Sequence, residues 1–514
     1  MGNFNVLEDI EPKDVFYFFE EISKIPRGSG NTDKISNYLV DFAKNRNLKF
    51  YKDDLNNVII YKEGTFGFEN KDSLILQGHM DIVCDKKLDS SKNMELEGID
   101  LEINGDYISG IDTSLGGDNG IAIAMILGIL DSNNLIHPPI EAVFTSDEEI
   151  GLIGANYLDI SKLSGKYLIN LDSEEEGVMV VSCAGGNRIN LEIPINRLEY
   201  NNFQNRSYNK INLKGDVGEF LINISISGLK GGHSGIEINK GLANANKLLA
   251  KLLKNIKDEN ISFNIFDIYG GNLDNAIANN SNSTILSPNF DEIKKIAKDF
   301  EVKINQEFKD IEDKIKINLD LVEFSKISVL SEESTNNIVE ISVLSEESTN
   351  NIIDFINELP NGVCKISDNM EDFVESSLNL GIMNLKKDKF SLVFSVRSSF
   401  DSKREKINNK LISITNRFGG DFKIIGEYPG WELKEESKLQ EIILKEYKKK
   451  YSKVMKVNAI HAGLECGVFV NKIPDLDAVS IGPNLFDVHT YNEKLSISSV
   501  DRTYKLLLDI LKQF

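Results

Sequence analysis

Apolar residues first recur at helical spacing over residues 13–26, at Val15, Phe16, Phe19 and Ile22, and Ile25–Pro26 stops the run. Residues 34–46 predict a second helix. Two short β-type runs follow, around Val58–Tyr61 and Ser73–Gln77. Gly120–Leu130 is almost wholly apolar and predicts a buried helix packed on a sheet. Pro139–Ser146 and Lys166–Leu171 read as strands of the buried kind. Strands alternating with helices predict an α/β domain with a largely parallel sheet.

The pattern changes after Gly185–Gly186. Asparagine becomes frequent, the amphipathic strand Phe220–Ile226 appears, and helical runs follow over 242–257 and 290–307. Residues 187–425 therefore predict a separate α+β unit. After Pro429–Gly430–Trp431 the alternation returns: a helix over 434–450, a strand over 454–458, a helix, a strand over 477–481 and a last helix over 498–513. This tail is too short for a large core of its own. It is expected to complete the first domain's sheet, so that residues 1–186 and 426–514 form one domain around an insertion at 187–425.

One repeat stands inside that insertion. Ile327–Ile338 reads ISVLSEESTNNI, and Ile341–Ile352 repeats the same twelve residues at an offset of 14. Two copies do not make a solenoid. Only the second runs on into an apolar-periodic helix (Ile352, Ile353, Phe355, Ile356, Leu359), ended by Pro360–Asn361–Gly362. The first reads as a tandem duplication carried as extra surface loop, which a fold tolerates cheaply.

Charge narrows the partners. The 514 residues carry 80 acidic and 58 basic side chains, a net charge of −22. Such acidity argues against binding nucleic acid or an anionic membrane surface. No apolar run approaches the ~18–20 residues of a membrane span. The N-terminus lacks a basic stretch followed by an apolar one, so no secretory signal is expected, and Val6 stands where myristoylation needs Ser or Thr. The four cysteines (Cys84, Cys183, Cys364, Cys466) are far apart and form no CxxC pair. They suit reduced thiols and a cytoplasmic setting.

There are five histidines: His79, His137, His233, His461 and His489. Gly78-His79-Met80-Asp81 follows directly on a predicted strand, and in open α/β sheets ligands bind beyond the carboxyl ends of strands. In Gly116-Gly117-Asp118-Asn119-Gly120 an aspartate stands among glycines before the buried helix, as an exposed carboxylate or as an N-cap. Asp147-Glu148-Glu149 and Asp172 end two further predicted strands, and Asp487-Val488-His489-Thr490 lies near the C-terminus. Singly, each pattern is weak. Together, two histidines and three carboxylates at strand ends are what a pair of Zn²⁺ ions would take as ligands, with one carboxylate bridging. Two ions ~3.5–4 Å apart can share and activate a water. Adjacent Glu148 and Glu149 allow one to ligate while the other serves as general base.

The segments GHMDIV, GGDNG, SDEEIGLIGA, LDSEE, GGHSG, HAGLECG and DVHT together resemble the M20 metallopeptidases, and within them the aminoacyl-histidine dipeptidases. The resemblance runs from about residue 11 to the C-terminus, and the repeat near 327–353 departs from it. It implies a zinc-peptidase-like catalytic domain with an inserted lid domain, and hydrolysis of unblocked dipeptides, Xaa-His and broader. It implies that His79, Asp118 and Asp172 hold one zinc and that Asp118, Glu149 and His489 hold the other; Co²⁺ or Mn²⁺ are alternatives. Asp81 would orient His79, Glu148 would be the general base, and His233 would stabilise the oxyanion from the lid. Asn275 and Arg397 match lid positions that bind substrate, and His461 sits where relatives have a substrate loop. Arg397 could pair bidentately with a peptide's carboxylate. The same-fold alternative is a tripeptidase or N-acyl amino acid hydrolase. His137 and Cys466 are expected to be structural. Side-chain preference, native metal and oligomeric state, a homodimer included, stay open.

Overall fold

The structure is a computed structural model that describes residues 6–200, 220–322, 341–368, 370 and 372–514. The chain divides into two compact units, residues 1–183 with 428–514, and residues 184–427.

The first unit is α/β. Its main sheet runs in the order Lys49–Lys52, Val58–Lys62, Ile140–Thr145, Leu74–His79, Tyr167–Asn170, Asp477–Ser480, Val178–Cys183, Lys456–Ile460. The strands from Ile140–Thr145 to Asp477–Ser480 are parallel to one another, and antiparallel pairs flank them. Successive residues on a strand point to opposite faces, and the two faces feed separate cores. Leu74, Leu76, Ala142 and Phe144 pack with the helices Lys13–Ser23, Gly117–Asp131 and Ile497–Leu511. Ile75 and Val143 pack with Val468 and Phe469 of the helix Glu465–Lys472. Burial on both faces explains why these strands read as unbroken apolar runs. The helix Gly117–Asp131 is buried on every side from Asn119 to Leu130, in keeping with its lack of a polar stripe. The C-terminal segment supplies a strand inside this sheet, Asp477–Ser480, and one at its edge, Lys456–Ile460.

The second unit is built on an antiparallel sheet. Its strands include Gly185–Pro194, Phe220–Ser227, Asn264–Gly270, Ser281–Ser287, Val374–Leu385 and Lys389–Ser398. Alternate residues, such as Ile222, Ile224 and Ile226 or Phe390, Leu392 and Phe394, enter one core with the helices Ala245–Asp258, Phe290–Glu307, Glu346–Glu358 and Asp401–Arg417. The second repeat copy forms the strand Ile341–Leu344 and then the helix, whose first turn is capped where Ser345 Oγ accepts the Ser348 N–H. Ile352, Ile353, Phe355, Ile356 and Leu359 are all buried. The first copy, residues 327–338, lies outside the described residues. Deleting residues 327–340 joins Lys326 to Ile341 and keeps the packed copy whole. The deletion is expected to leave turnover within a few-fold. Loss of folding or of activity would show that the first copy is more than spare loop.

Candidate metal centre

The carboxyl ends of the parallel strands gather the charged residues. The strand Leu74–His79 is buried throughout and delivers His79 with 1% of its surface exposed. Gly78 permits a close approach there, since a Cβ would lie 2.5 Å from Asn119 Oδ1. Asn119 uses that contact: its Oδ1 accepts the His79 N–H at 3.3 Å, and its Nδ2 donates to the Leu171 carbonyl at 2.9 Å. One asparagine thus ties together the segments that carry His79, Asp118 and Asp172. The N-cap alternative for Asp118 does not hold. Its carboxylate oxygens are turned to the imidazoles of His79 and His489, not to the N–H groups of the helix's first turn.

That carboxylate sits between two imidazoles. Asp118 Oδ1 lies 3.2 Å from His79 Nε2, and Asp118 Oδ2 lies 3.1 Å from His489 Nε2. Asp172 Oδ1 is 3.4 Å from His79 Nε2, and Glu149 Oε1 is 3.1 Å from His489 Nε2. Donor atoms of His79, Asp118 and Asp172 lie within 4.8 Å of one another, as do those of Asp118, Glu149 and His489 and those of His79, Glu148 and Glu149. The buried oxygens Asp172 Oδ1 and Glu149 Oε1 accept no hydrogen bond. Two imidazole nitrogens facing four carboxylates, with acceptor oxygens unsatisfied, fit divalent cations.

Asp81 is fully buried and works on several neighbours. Its carboxylate accepts the N–H groups of Glu148 at 2.9 Å and Glu149 at 3.3 Å, and the Ser29 hydroxyl at 2.8 Å. Its Oδ1 is 3.5 Å from His79 Nδ1, which sits closer, at 3.0 Å, to the Asp81 backbone oxygen. The carboxylate therefore shapes the turn carrying both glutamates as much as it orients the histidine.

Electrostatics follow from burial and crowding. Burial pushes the Glu148 carboxyl well above the usual range, against the pull of His79. Burial also lifts Asp172, to about 6. For Asp118 burial is outweighed by hydrogen bonds from His489 and His79, which hold it well below the usual range. His489 is pushed up to about 11 by its hydrogen bond to Asp118 and by the Glu149 carboxylate beside it. The cluster strongly demands positive charge.

His461 lies just past the strand Lys456–Ile460 in the first unit and is buried. His233, Asn275 and Arg397 belong to the second unit. A two-residue ribbon pairs His233 with Ala276, and the Asn275 carbonyl accepts the Ser234 N–H at 2.8 Å, so His233 and Asn275 are neighbours. Arg397 is buried, in register with Ser377 and Gly186 on the flanking strands. His137 is wholly buried, with its Nδ1 2.8 Å from the Pro138 carbonyl oxygen, and Cys466 is buried in the core.

Three buried charged residues around the centre escaped the sequence reading: Arg27, Glu465 and Glu493. Glu465 accepts hydrogen bonds from Gln77 and from the Thr145 hydroxyl, and burial lifts its pKa to about 7. A signal existed: Gln77 and Thr145 are polar residues within fully buried strands, and such groups require partners.

A parallel sheet that ends in a cluster of metal-ligand type is the frame of a metal-dependent enzyme. The family model for peptidase family M20/M25/M40 matches residues 75–513, and the chain belongs to that family. It is 31% identical over 509 residues, 99% of each chain, to the cytosol non-specific dipeptidase of Escherichia coli strain K12. The crystal structure of aminoacylhistidine dipeptidase from Vibrio alginolyticus superposes with a TM-score of 0.85 at 30% identity, covering 99% of this chain and 98% of that one. The aminopeptidase PepT of Bacillus cereus shares the fold, with a TM-score of 0.54 at 16% identity over 98% of this chain and 99% of that one.

Proposed function

We propose that this peptidase hydrolyses unblocked dipeptides, Xaa-His among them, at a binuclear divalent metal site whose native ions are Zn²⁺. The observation that carries the reading is the Asp118 carboxylate, with one oxygen toward His79 and the other toward His489. His79, Asp118 and Asp172 would hold one ion, and Asp118, Glu149 and His489 the other. Bound there, the ions would polarise the scissile carbonyl and ease deprotonation of water. Glu148 takes the proton from water and returns it to the leaving amine. A carboxylate whose pKa burial has raised suits both transfers. The amides of Glu148 and Glu149, fixed on Asp81, keep base and ligand in their separate directions. The reading assigns the oxyanion to His233, and the substrate's terminal groups to Asn275, Arg397 and His461.

The setting in this reading is the cytoplasm, with small peptides as ligands and neither nucleic acid nor membrane as partner. Cys84, Cys364 and Cys466 carry free thiols, and among the described residues no helix is long and apolar enough to cross a membrane.

The test is a panel of dipeptides, tripeptides and N-acetyl amino acids on chelator-treated protein, with Zn²⁺, Mn²⁺ or Co²⁺ added back. Dipeptides are expected to be turned over only after metal is restored, and fastest of the three classes. Preference for tripeptides or N-acetyl amino acids would replace the dipeptide assignment, and metal-independent turnover would remove the metal site from it.

A further inference from the structure

The GGDNG turn that presents Asp118 is gripped from both sides by buried charges. The Glu493 carboxylate accepts four backbone N–H groups. Oε2 takes those of Leu115 at 2.8 Å and Gly116 at 2.9 Å, and Oε1 those of Gly117 at 2.8 Å and Asp118 at 3.1 Å. Opposite it, Arg27 donates from Nη2 to the Gly116 carbonyl at 2.7 Å and from Nη1 to the Met80 carbonyl at 3.0 Å. Arg27 is 1% exposed and Glu493 2%. Neither is a ligand or a proton carrier in the proposed reaction.

The glycines follow from this grip. Gly116 has φ +66°, which turns its N–H and carbonyl toward the opposed charges. A Cβ there would lie 2.9 Å from Arg27 Nη2, and one on Gly117 would lie 3.2 Å from Glu493 Oε1. A Cβ on Gly120 would collide with the same guanidinium. A turn that makes room for a side chain on each side is a built receptacle, whereas an ordinary helix start needs only an N-cap.

The connectivity shows what the grip holds in place. Met80 lies between His79 and Asp81, so Arg27 links the first histidine's strand to the Asp118 turn. Glu493 is four residues past His489, so one short segment provides both the imidazole at Asp118 Oδ2 and the anchor on the Asp118 backbone. Behind the side-chain contacts of Asp118 with His79 and His489, the three segments around residues 79, 118 and 489 are tied together through their backbones by this pair and by Asn119.

We propose that Arg27 and Glu493 are positioning residues that set the Asp118 carboxylate midway between His79 and His489, so that one side chain can serve two metal ions. The proposal rests on the binuclear reading above. Partners behind metal ligands typically change affinity by ~10–100-fold when removed. An anchor on a bridging ligand should affect both ions together, whereas a fault behind one histidine should affect one.

Glu493→Gln tests this. Its amide oxygen can keep two of the four N–H groups, while its NH₂ faces the other two as donor against donor. Zn²⁺ affinity by chelator competition should fall ~10–100-fold for both ions in parallel. In Mn²⁺-loaded protein the spin-coupled spectrum of a close ion pair should give way to that of separated ions. Circular dichroism of the metal-free variant checks folding. A folded variant with wild-type affinities and coupling, or with loss confined to one ion, would overturn the proposal. If the variant does not fold, Arg27→Lys carries the same readouts, because an ammonium cannot reproduce the guanidinium fork that spans both carbonyls. Paired loss then supports the clamp, and wild-type binding overturns it. If wild-type protein binds a single ion, the binuclear reading fails. The clamp is then judged on that ion, whose affinity must still drop by the same factor in Glu493→Gln.

Discussion

Replacing Glu148 by glutamine is expected to abolish nearly all turnover while leaving metal content unchanged. Glutamine keeps the shape of the side chain and the N–H that Asp81 accepts. It cannot take a proton from water, so the loss should reach the ~10²–10⁴-fold attributed to a general base. Glu149→Gln is the control, one residue away. Glu149 Oε1 lies 3.1 Å from His489 Nε2, within a cluster whose donor atoms all fall within 4.8 Å of one another. A glutamine there should lower metal content, and turnover as a consequence, with recovery at high metal concentration. His489→Ala should behave like Glu149→Gln, although 410 residues separate it from His79 in sequence (489 − 79). Metal analysis of purified variants, followed by kinetics across a metal titration, separates the two patterns. Retained metal in Glu149→Gln together with lost metal in Glu148→Gln would reverse the two assignments.

The candidate ligand cluster was legible because its residues stand where chain geometry brings the ends of buried strands together. Parallel strands end together, and the sheet order sets these strands side by side, so the residues just after Gln77, Phe144 and Ile169 approach one another. Acidic runs at the ends of buried strands mark those places, as at Asp147-Glu148-Glu149 and Asp172. The helix Gly117–Asp131 was legible for a related reason, since an unbroken apolar run with alanines has no polar side to present to water. Glu493 was not legible. In Tyr491-Asn492-Glu493-Lys494 it has the local sequence of a solvated turn, and its partners are backbone N–H groups that carry no side-chain signature. Arg27 was hidden likewise, since its acceptors are the carbonyls of Met80 and Gly116, far along the chain. Periodicity reports which face of an element is buried; it does not report which charge caps a distant turn. The divided role of Asp81, between His79 and the two glutamate amides, also needed the fold, because only the fold brings residues 81 and 148 together.

His233→Ala is expected to reduce the catalytic constant by ~10²–10³-fold, the usual loss of one oxyanion donor. The residue lies in the second unit and in none of the candidate metal clusters among the described residues. Metal content should therefore be unchanged. Local geometry determines which ring nitrogen can donate. His233 Nδ1 accepts the N–H groups of Gly235 at 3.2 Å and Ile236 at 3.3 Å, so in the neutral ring the proton resides on Nε2. The backbone N–H of His233 is in turn accepted by Glu237 Oε2 at 2.7 Å, and the strand residue pairs with Ala276. A ring whose tautomer is set by two amides has one defined atom from which to donate, and in the proposed reaction that donation would stabilise the developing charge. The interaction strengthens as negative charge develops on the substrate oxygen, so the Michaelis constant should move much less than the catalytic constant. His233→Gln tests the same point from the other side: an amide NH₂ that reaches the position of Nε2 should recover part of the lost rate. Thermal unfolding should stay close to wild type, because the ring is only half-buried and its backbone bonds survive in both variants. Turnover at the wild-type level in His233→Ala would return this residue to an ordinary surface turn and leave the oxyanion to the metal site alone.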